Sequence, residues 1–220
     1  MSNKELPVLA NSILSILNED IDLKQMIEKV IALIRTETGY SAVGMRLRDG
    51  NDFPYFVQKG FSPHFINTEN SIIARDTHCN SCGDACDAPA LECTCGLVID
   101  GVKDSGNPLF TEFGSFYTNN SFPILDIPID EDPRFQPRNT CIHLGYRSIA
   151  IIPIRCHGAT IGTLQINDKE IDAFSPENIR FLENISLSLG MALMRKQSEE
   201  LVREERDKLL EIKSIARIGS

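Results

Sequence analysis

The chain has no tryptophan, and aromatic residues make up only 7% of its 220 positions. It is short of positive charge: 22 Lys and Arg face 31 Asp and Glu, for a net charge of −9. The basic residues are scattered singly among acids. Nothing concentrates the charge needed to displace counterions from a phosphate backbone, so nucleic acid is not an expected partner. The same deficit disfavours an anionic membrane surface. No run approaches the roughly 20 apolar residues of a spanning helix, so no membrane insertion is expected. The start, MSNKELPVLANSILSILNED, has one early Lys and no long apolar core, and does not read as a signal peptide. No P-loop, dinucleotide fingerprint, nucleophile elbow or EF-hand spacing occurs. A cytoplasmic location follows as the expectation. There the cysteines, seven in number, are thiols, thiolates or ligands rather than structural disulfides.

Sulfur is what the chain does have. The stretch HCNSCGDACDAPALECTCG, residues 78–96, carries Cys79, Cys82, Cys86, Cys93 and Cys95, while Cys141 and Cys156 stand alone. Cys79-x2-Cys82 and Cys93-x-Cys95 are short-range pairs that could supply thiolates to a tetrahedral zinc. Cys79-x2-Cys82-x3-Cys86 has part of an iron–sulfur spacing, though not a complete one. Thiol redox chemistry is a further reading. The bland alternative is a reduced surface loop. Cys156 reads as a small buried hydrophobe. His157, in a tight turn, reads as exposed, His64 has no partner, and His78, directly before Cys79, reads as an exposed loop residue with ligation the alternative.

The remaining pattern places this stretch. Apolar residues at helical spacing run through the N-terminal helices, 4–38, broken at Asn18-Glu19-Asp20 and stopped by Gly39. The period then changes to two: Val43, Met45 and Leu47 alternate with Gly44, Arg46 and Arg48. A turn at 49–52 leads to a second strand. From 62 to 107 periodicity is poor, apart from a short helix expected near 91–99. An excursion this long is functional or disordered. GSFYTN reads as a short strand. Residues 147–168 form the clearest hairpin, turning at His157-Gly158. Pro153 inside it implies a bulge or an unpaired position. Ser175-Pro176-Glu177 opens a helix with an N-cap, a proline at N1 and a favourable acid. Beyond Met194 the composition turns strongly charged, so that helix must overhang the domain. The acids Asp126, Asp130, Glu131 and Asp132 read as a solvated loop, and Asn167-Asp168 as a turn.

The order of elements implies an α+β fold. LECTCGLVIDG, FTEFGSFYTNNS, RNTCIHLGYRSIAIIPIR and IGTLQIND resemble a GAF domain, of the cysteine-bearing kind found in bacterial and archaeal sensor histidine kinases. The resemblance implies a GAF-like antiparallel sheet with flanking helices and a long C-terminal signalling helix. It divides the chain into a sensor domain, 1–194, and a charged connector, 195–220. SIARIGS at the end is similar to the start of a PAS module, which implies downstream PAS and kinase modules. The family implies no catalysis by this segment, a small-molecule or cofactor ligand, and a homodimer through the terminal helices. The motif-borne residues Cys93, Cys95 and Cys141, with His143, are the implied cofactor site. Haem there would use a Cys of ECTCG and His143; zinc or an iron–sulfur centre would draw on Cys79, Cys82, Cys93, Cys95 and Cys141. A second resemblance, to free methionine sulfoxide reductases, implies a thiol enzyme in which one cysteine attacks the sulfoxide and another resolves it. A cyclic-nucleotide-binding GAF domain ranks last, since no Arg or helix N-terminus is assigned to a phosphate.

Overall fold

A computed structural model of the chain describes residues 5–74, 90–101 and 107–218, with side chains through residue 210. Two N-terminal helices, α1 (Glu5–Leu17) and α2 (Leu23–Thr38), form the helical pair that the apolar spacing indicates. Asp22 caps α2, its carboxylate accepting from Gln25 N at 2.8 Å. Gly39 ends it at φ 75°, left-handed backbone that glycine adopts without a Cβ penalty. Five strands follow: β1 (Ala42–Leu47), β2 (Tyr55–Lys59), β3 (Phe116–Thr118), β4 (Ser148–Cys156) and β5 (Ala159–Asp168). They pair antiparallel in the order β2-β1-β5-β4-β3. Short helices α3 (Pro63–Glu69), α4 (Cys93–Ile99) and α5 (Thr140–His143) lie between the strands, and α6 (Pro176–Ile218) closes the chain.

The sheet is covered on both faces. On one, Val43, Met45, Ile152, Leu164 and Ile166 pack against the apolar stripes of α1, α2 and α6. On the other, Ile149 and Ile151 meet Phe65, Val98, Ile124 and Ile142 from the irregular segments and short helices. Period-two alternation therefore gives each strand one helix-facing and one loop-facing row. The loop-facing row of the central strands is polar yet buried: Arg46, Thr163, Gln165 and Asn167 are all essentially inaccessible.

Pro153 sits inside β4, pairing with Thr163 of β5, and the register shifts between Ile154 and Arg155. β3 reaches only residues 149–151 on the other side, so β4 has a free edge at Pro153. No ladder partner needs an N–H there, and the carbonyl is taken by the Ser186 hydroxyl of α6. Pro153 thus helps dock the long helix. No described helix is long and apolar enough to cross a membrane.

Candidate functional site

A cavity of about 40 Å3 lies on the loop-facing side of the sheet. Its floor is β4 and β5, with Ile149, Ile151 and Gln165. The start of α4 brings Cys93 and Cys95, α5 brings Cys141, and the segment leading into α5 brings Arg134 and Asn139. The three cysteines named from the sequence motifs therefore line one cavity from two distant segments.

Gln165 is the hub between them. Its Oε1 accepts from the Tyr55 hydroxyl at 2.6 Å and lies 4.0 Å from the Cys95 thiol. Its Nε2 donates to Asn167 Oδ1 at 3.1 Å and lies 3.5 Å from Cys141 Sγ. One buried amide thus addresses two thiols and two further polar groups, a network that fixes side-chain positions in the core, although Asn167 Nδ2 has no hydrogen-bond partner among the described residues. Beneath it, the Arg46 guanidinium is stacked 3.7 Å from the centre of the Tyr55 ring. Arg46 donates to the carbonyls of Phe53 (2.8 Å), Asn70 (3.0 Å) and Glu69 (2.5 Å). Burial opposes its charge, but its interactions with Tyr55, Cys95 and Glu69 outweigh that and hold its pKa above the ordinary value.

The thiols are held protonated. Burial is the leading cause at each: it pushes Cys95 up to about 11, with nearby Cys93 and Glu69 adding to the shift and Arg46 opposing it. Cys141 is raised further, by burial and then by Cys95 and Glu69. Cys93 is raised by burial and lowered in part by backbone N–H donors from Asn139 and Arg138. A thiol shielded in this way is a poor nucleophile at neutral pH.

Charged residues gather beside the cavity, and Glu69 and Arg134 line it. Arg138 lies with Nε 2.7 Å from Glu92 Oε2 and 3.6 Å from Glu69 Oε1. None of these three atoms has an aligned hydrogen bond, so the contacts are ion pairs rather than N–H···O bonds. Arg138 also donates to the carbonyls of Thr68 (2.7 Å) and Ser71 (2.8 Å). Arg134 is paired with Asp132 at 2.6 Å, both side chains 7% exposed. Asp132 is therefore not part of a solvated acidic loop: Arg134, two residues on, draws it in. Asn167 likewise is not a turn residue, since it lies within β5, fully buried and bonded to Gln165.

The remaining candidates lie elsewhere. His143 is exposed and lines a separate shallow depression with Asn120 and Phe122. Cys156 is half-buried at the β4–β5 turn. His78, Cys79, Cys82 and Cys86 fall outside the described residues. Among the described residues no group of three His, Cys, Asp or Glu side chains is arranged to hold a metal ion. A larger open groove of about 760 Å3 runs past the hairpin turns and is lined by none of the described cysteines.

Residues 22–193 match the family model of the GAF domain. The chain belongs to the GAF family. No curated protein matches its sequence. Solved structures agree on the fold. The GAF domain of a phosphoenolpyruvate-protein phosphotransferase from Coxiella burnetii is 16% identical, with a TM-score of 0.63 over 91% of this chain and 99% of its own. A free methionine-R-sulfoxide reductase from Neisseria meningitidis, solved with its substrate, is 13% identical, with a TM-score of 0.59 over 90% and 96%. A domain assigned to a two-component sensor histidine kinase from Sinorhizobium meliloti 1021 is 13% identical, with a TM-score of 0.54 over 84% and 99%. At these identities the likeness is one of fold, and one GAF fold serves regulatory and catalytic proteins alike.

Proposed function

We propose that this GAF domain is the cytoplasmic sensory module of a signal-transduction histidine kinase, binding a small molecule or cofactor at Cys93, Cys95 and Cys141 and passing its state along α6. The observation that carries this reading is the set of three protonated thiols lining one cavity, two of them on the Gln165 amide. Such a set suits binding better than nucleophilic attack. The site sits on one face of the sheet and α6 on the other, one strand's thickness apart. Phe116 lines the cavity. Its neighbour Ser115 donates to Glu183 of α6 at 2.8 Å, as does Thr111 at 2.6 Å. A shift of β3 at the cavity would therefore be felt at α6. We further propose residues 1–194 as the sensor and 195–220 as a helical connector to PAS and kinase modules, with dimerisation through the terminal helices.

A haem, a zinc ion or an iron–sulfur centre remains a candidate occupant. For a metal, Cys79 and Cys82 would join Cys93, Cys95 and Cys141. A haem would require the cavity to open, since ordinary ligand pockets are roughly 300–1,000 Å3, and His143, which lines a separate depression, would have to turn toward it.

The second reading is a thiol enzyme of the methionine sulfoxide reductase type. Adjacent cysteines in one cavity favour it, as one could attack and another resolve. One experiment separates the two. Protein purified without chelator is examined by absorption spectroscopy and metal analysis, then assayed for dithiol-dependent loss of free methionine sulfoxide. The sensory reading expects no turnover, and any chromophore or metal should be lost in Cys93→Ala and Cys141→Ala. Turnover that disappears in the same variants would overturn it in favour of the enzyme.

A further inference from the structure

The segment 134–141 runs along the cysteine cavity as a strap, lining it through Arg134, Asn139, Thr140 and Cys141, and its side-chain links to α3 and α4 are made by Arg138. Arg138 reaches back to the end of α3, through Glu69 and the carbonyl of Thr68, to Ser71 just beyond it, and to Glu92 at the start of α4. The backbone adds a reciprocal clasp. Cys93 N donates to Phe135 O at 3.0 Å, and Cys93 Sγ accepts from Arg138 N at 2.8 Å. We propose that this strap is a gate to the cysteine cavity and that Arg138 is its latch, so that a ligand reaches Cys95 and Cys141 only when the Arg138–Glu69–Glu92 cluster comes apart.

Two features make this a gate rather than ordinary packing. First, the fastening is charged and buried: the Arg138 side chain is 17% exposed, Glu69 and Glu92 6% each. An ion pair removed from water gains little net stability, because desolvation offsets the attraction. Apart, all three groups regain hydration. Release therefore costs less than the attraction between the charges alone would suggest. Second, the closed arrangement is strained. Cys93 (φ 62°), Gln136 (φ 37°) and Asn139 (φ 54°) all hold left-handed backbone at the contact between strap and α4. Such conformations disfavour residues with a Cβ, Asn least, and persist only where surrounding contacts impose them.

The gate deepens the binding reading above, because it matters only if the cavity receives something. Its test is independent of any ligand. The intact chain is pulse-labelled with N-ethylmaleimide under native conditions, and labelling at each cysteine is read by peptide mass spectrometry. Cys156, at the far turn of the hairpin, serves as the internal reference. In the wild type, Cys95 and Cys141 should label slowly. In Arg138→Gln their rates should rise about tenfold or more, as expected when a local opening equilibrium is shifted without global unfolding, while Cys156 stays unchanged. Arg138→Lys keeps the charge but cannot span both carboxylates and both carbonyls, and should give an intermediate rate. It decides the matter alone if Arg138→Gln fails to fold. Rates at Cys95 and Cys141 that stay at the wild-type value, or that rise only in step with Cys156, would overturn the gate. That outcome would leave the sensory reading standing, because the spectroscopic and turnover assays do not depend on the strap.

Discussion

The cysteines announced themselves by density, and the motifs around Cys93, Cys95 and Cys141 picked out the three that meet. Their partners were not legible. Arg46 and Gln165 occupy the polar row of strands that alternate correctly, and alternation does not say that the polar row is also buried. That depends on the short helices laid over it by segments without periodicity. Arg138 and Arg134 were hidden in the same way, as single charges in an irregular stretch. Gln165→Ala should show what the hub contributes: it strands the Tyr55 hydroxyl and one face of Asn167. A loss of about 1–3 kcal/mol is expected by urea denaturation, the cost of a buried group left without its partner. The thiols predict a pH dependence. Cys95 titrates at 9.0 ordinarily and at about 11 when folded. Between those values the unfolded chain has released a proton that the folded chain keeps. Stability is therefore full below pH 9 and falls as pH rises toward 11. Cys141, also raised, acts with the same sign. Denaturant midpoints across this range should fall less steeply in Cys95→Ala than in the wild type. Tyr40, raised to about 12 by burial and Asp168, contributes equally to both proteins.

At the scale of elements, the readable ones are those with strong periodicity and caps. The hairpin, α2, α4 and the start of α6 all lie where pattern and turn residues put them. α3 escaped notice although Ser62-Pro63 carries the same N-cap and proline signal as Ser175-Pro176, because seven residues are too few to show a helical period. α6 begins with a reciprocal cap: Asn178 N donates to Ser175 Oγ at 3.2 Å and Ser175 N to Asn178 Oδ1 at 3.1 Å. Ser175→Ala should cost about 0.5–2 kcal/mol of stability. Further along, Gly190 lets the helix touch β4, and a Cβ there would lie 2.3 Å from Arg155 O. Helix propensity favours alanine over glycine by about 0.8–1 kcal/mol, while overpacking a close contact costs about 1–3 kcal/mol. The clash should win. Gly190→Ala is expected to lower the thermal midpoint, the reverse of the usual effect of that substitution in an exposed helix.

On the scale of the whole molecule, the sheet separates a cysteine-lined side from a helical side. α6, at 43 residues, is about 65 Å long and outreaches the domain. It runs without interruption past residue 194, so the boundary drawn from composition is a change of surroundings rather than a break in structure. Arg195 ties it to α1, donating to Asn18 Oδ1 at 3.0 Å and to the Leu17 carbonyl. Beyond that point Leu201, Val202, Leu209 and Leu210 are exposed. An isolated polar helix is marginal in water, and a second copy of the chain is the proposed cover. Leu201→Glu with Leu209→Glu should then shift the sedimentation coefficient toward that of a monomer and leave the thermal midpoint of residues 5–193 nearly unchanged. Everything proposed for the site depends on the thiols of α4 and α5 sharing one cavity. The most direct measurement uses a chain with Cys79, Cys82, Cys86, Cys93 and Cys156 replaced by Ser, treated with a bifunctional methanethiosulfonate of short alkyl spacer. Mass spectrometry should find Cys95 and Cys141 joined within one chain by a single reagent molecule. Two separate single-ended adducts, with no intrachain bridge, would contradict it.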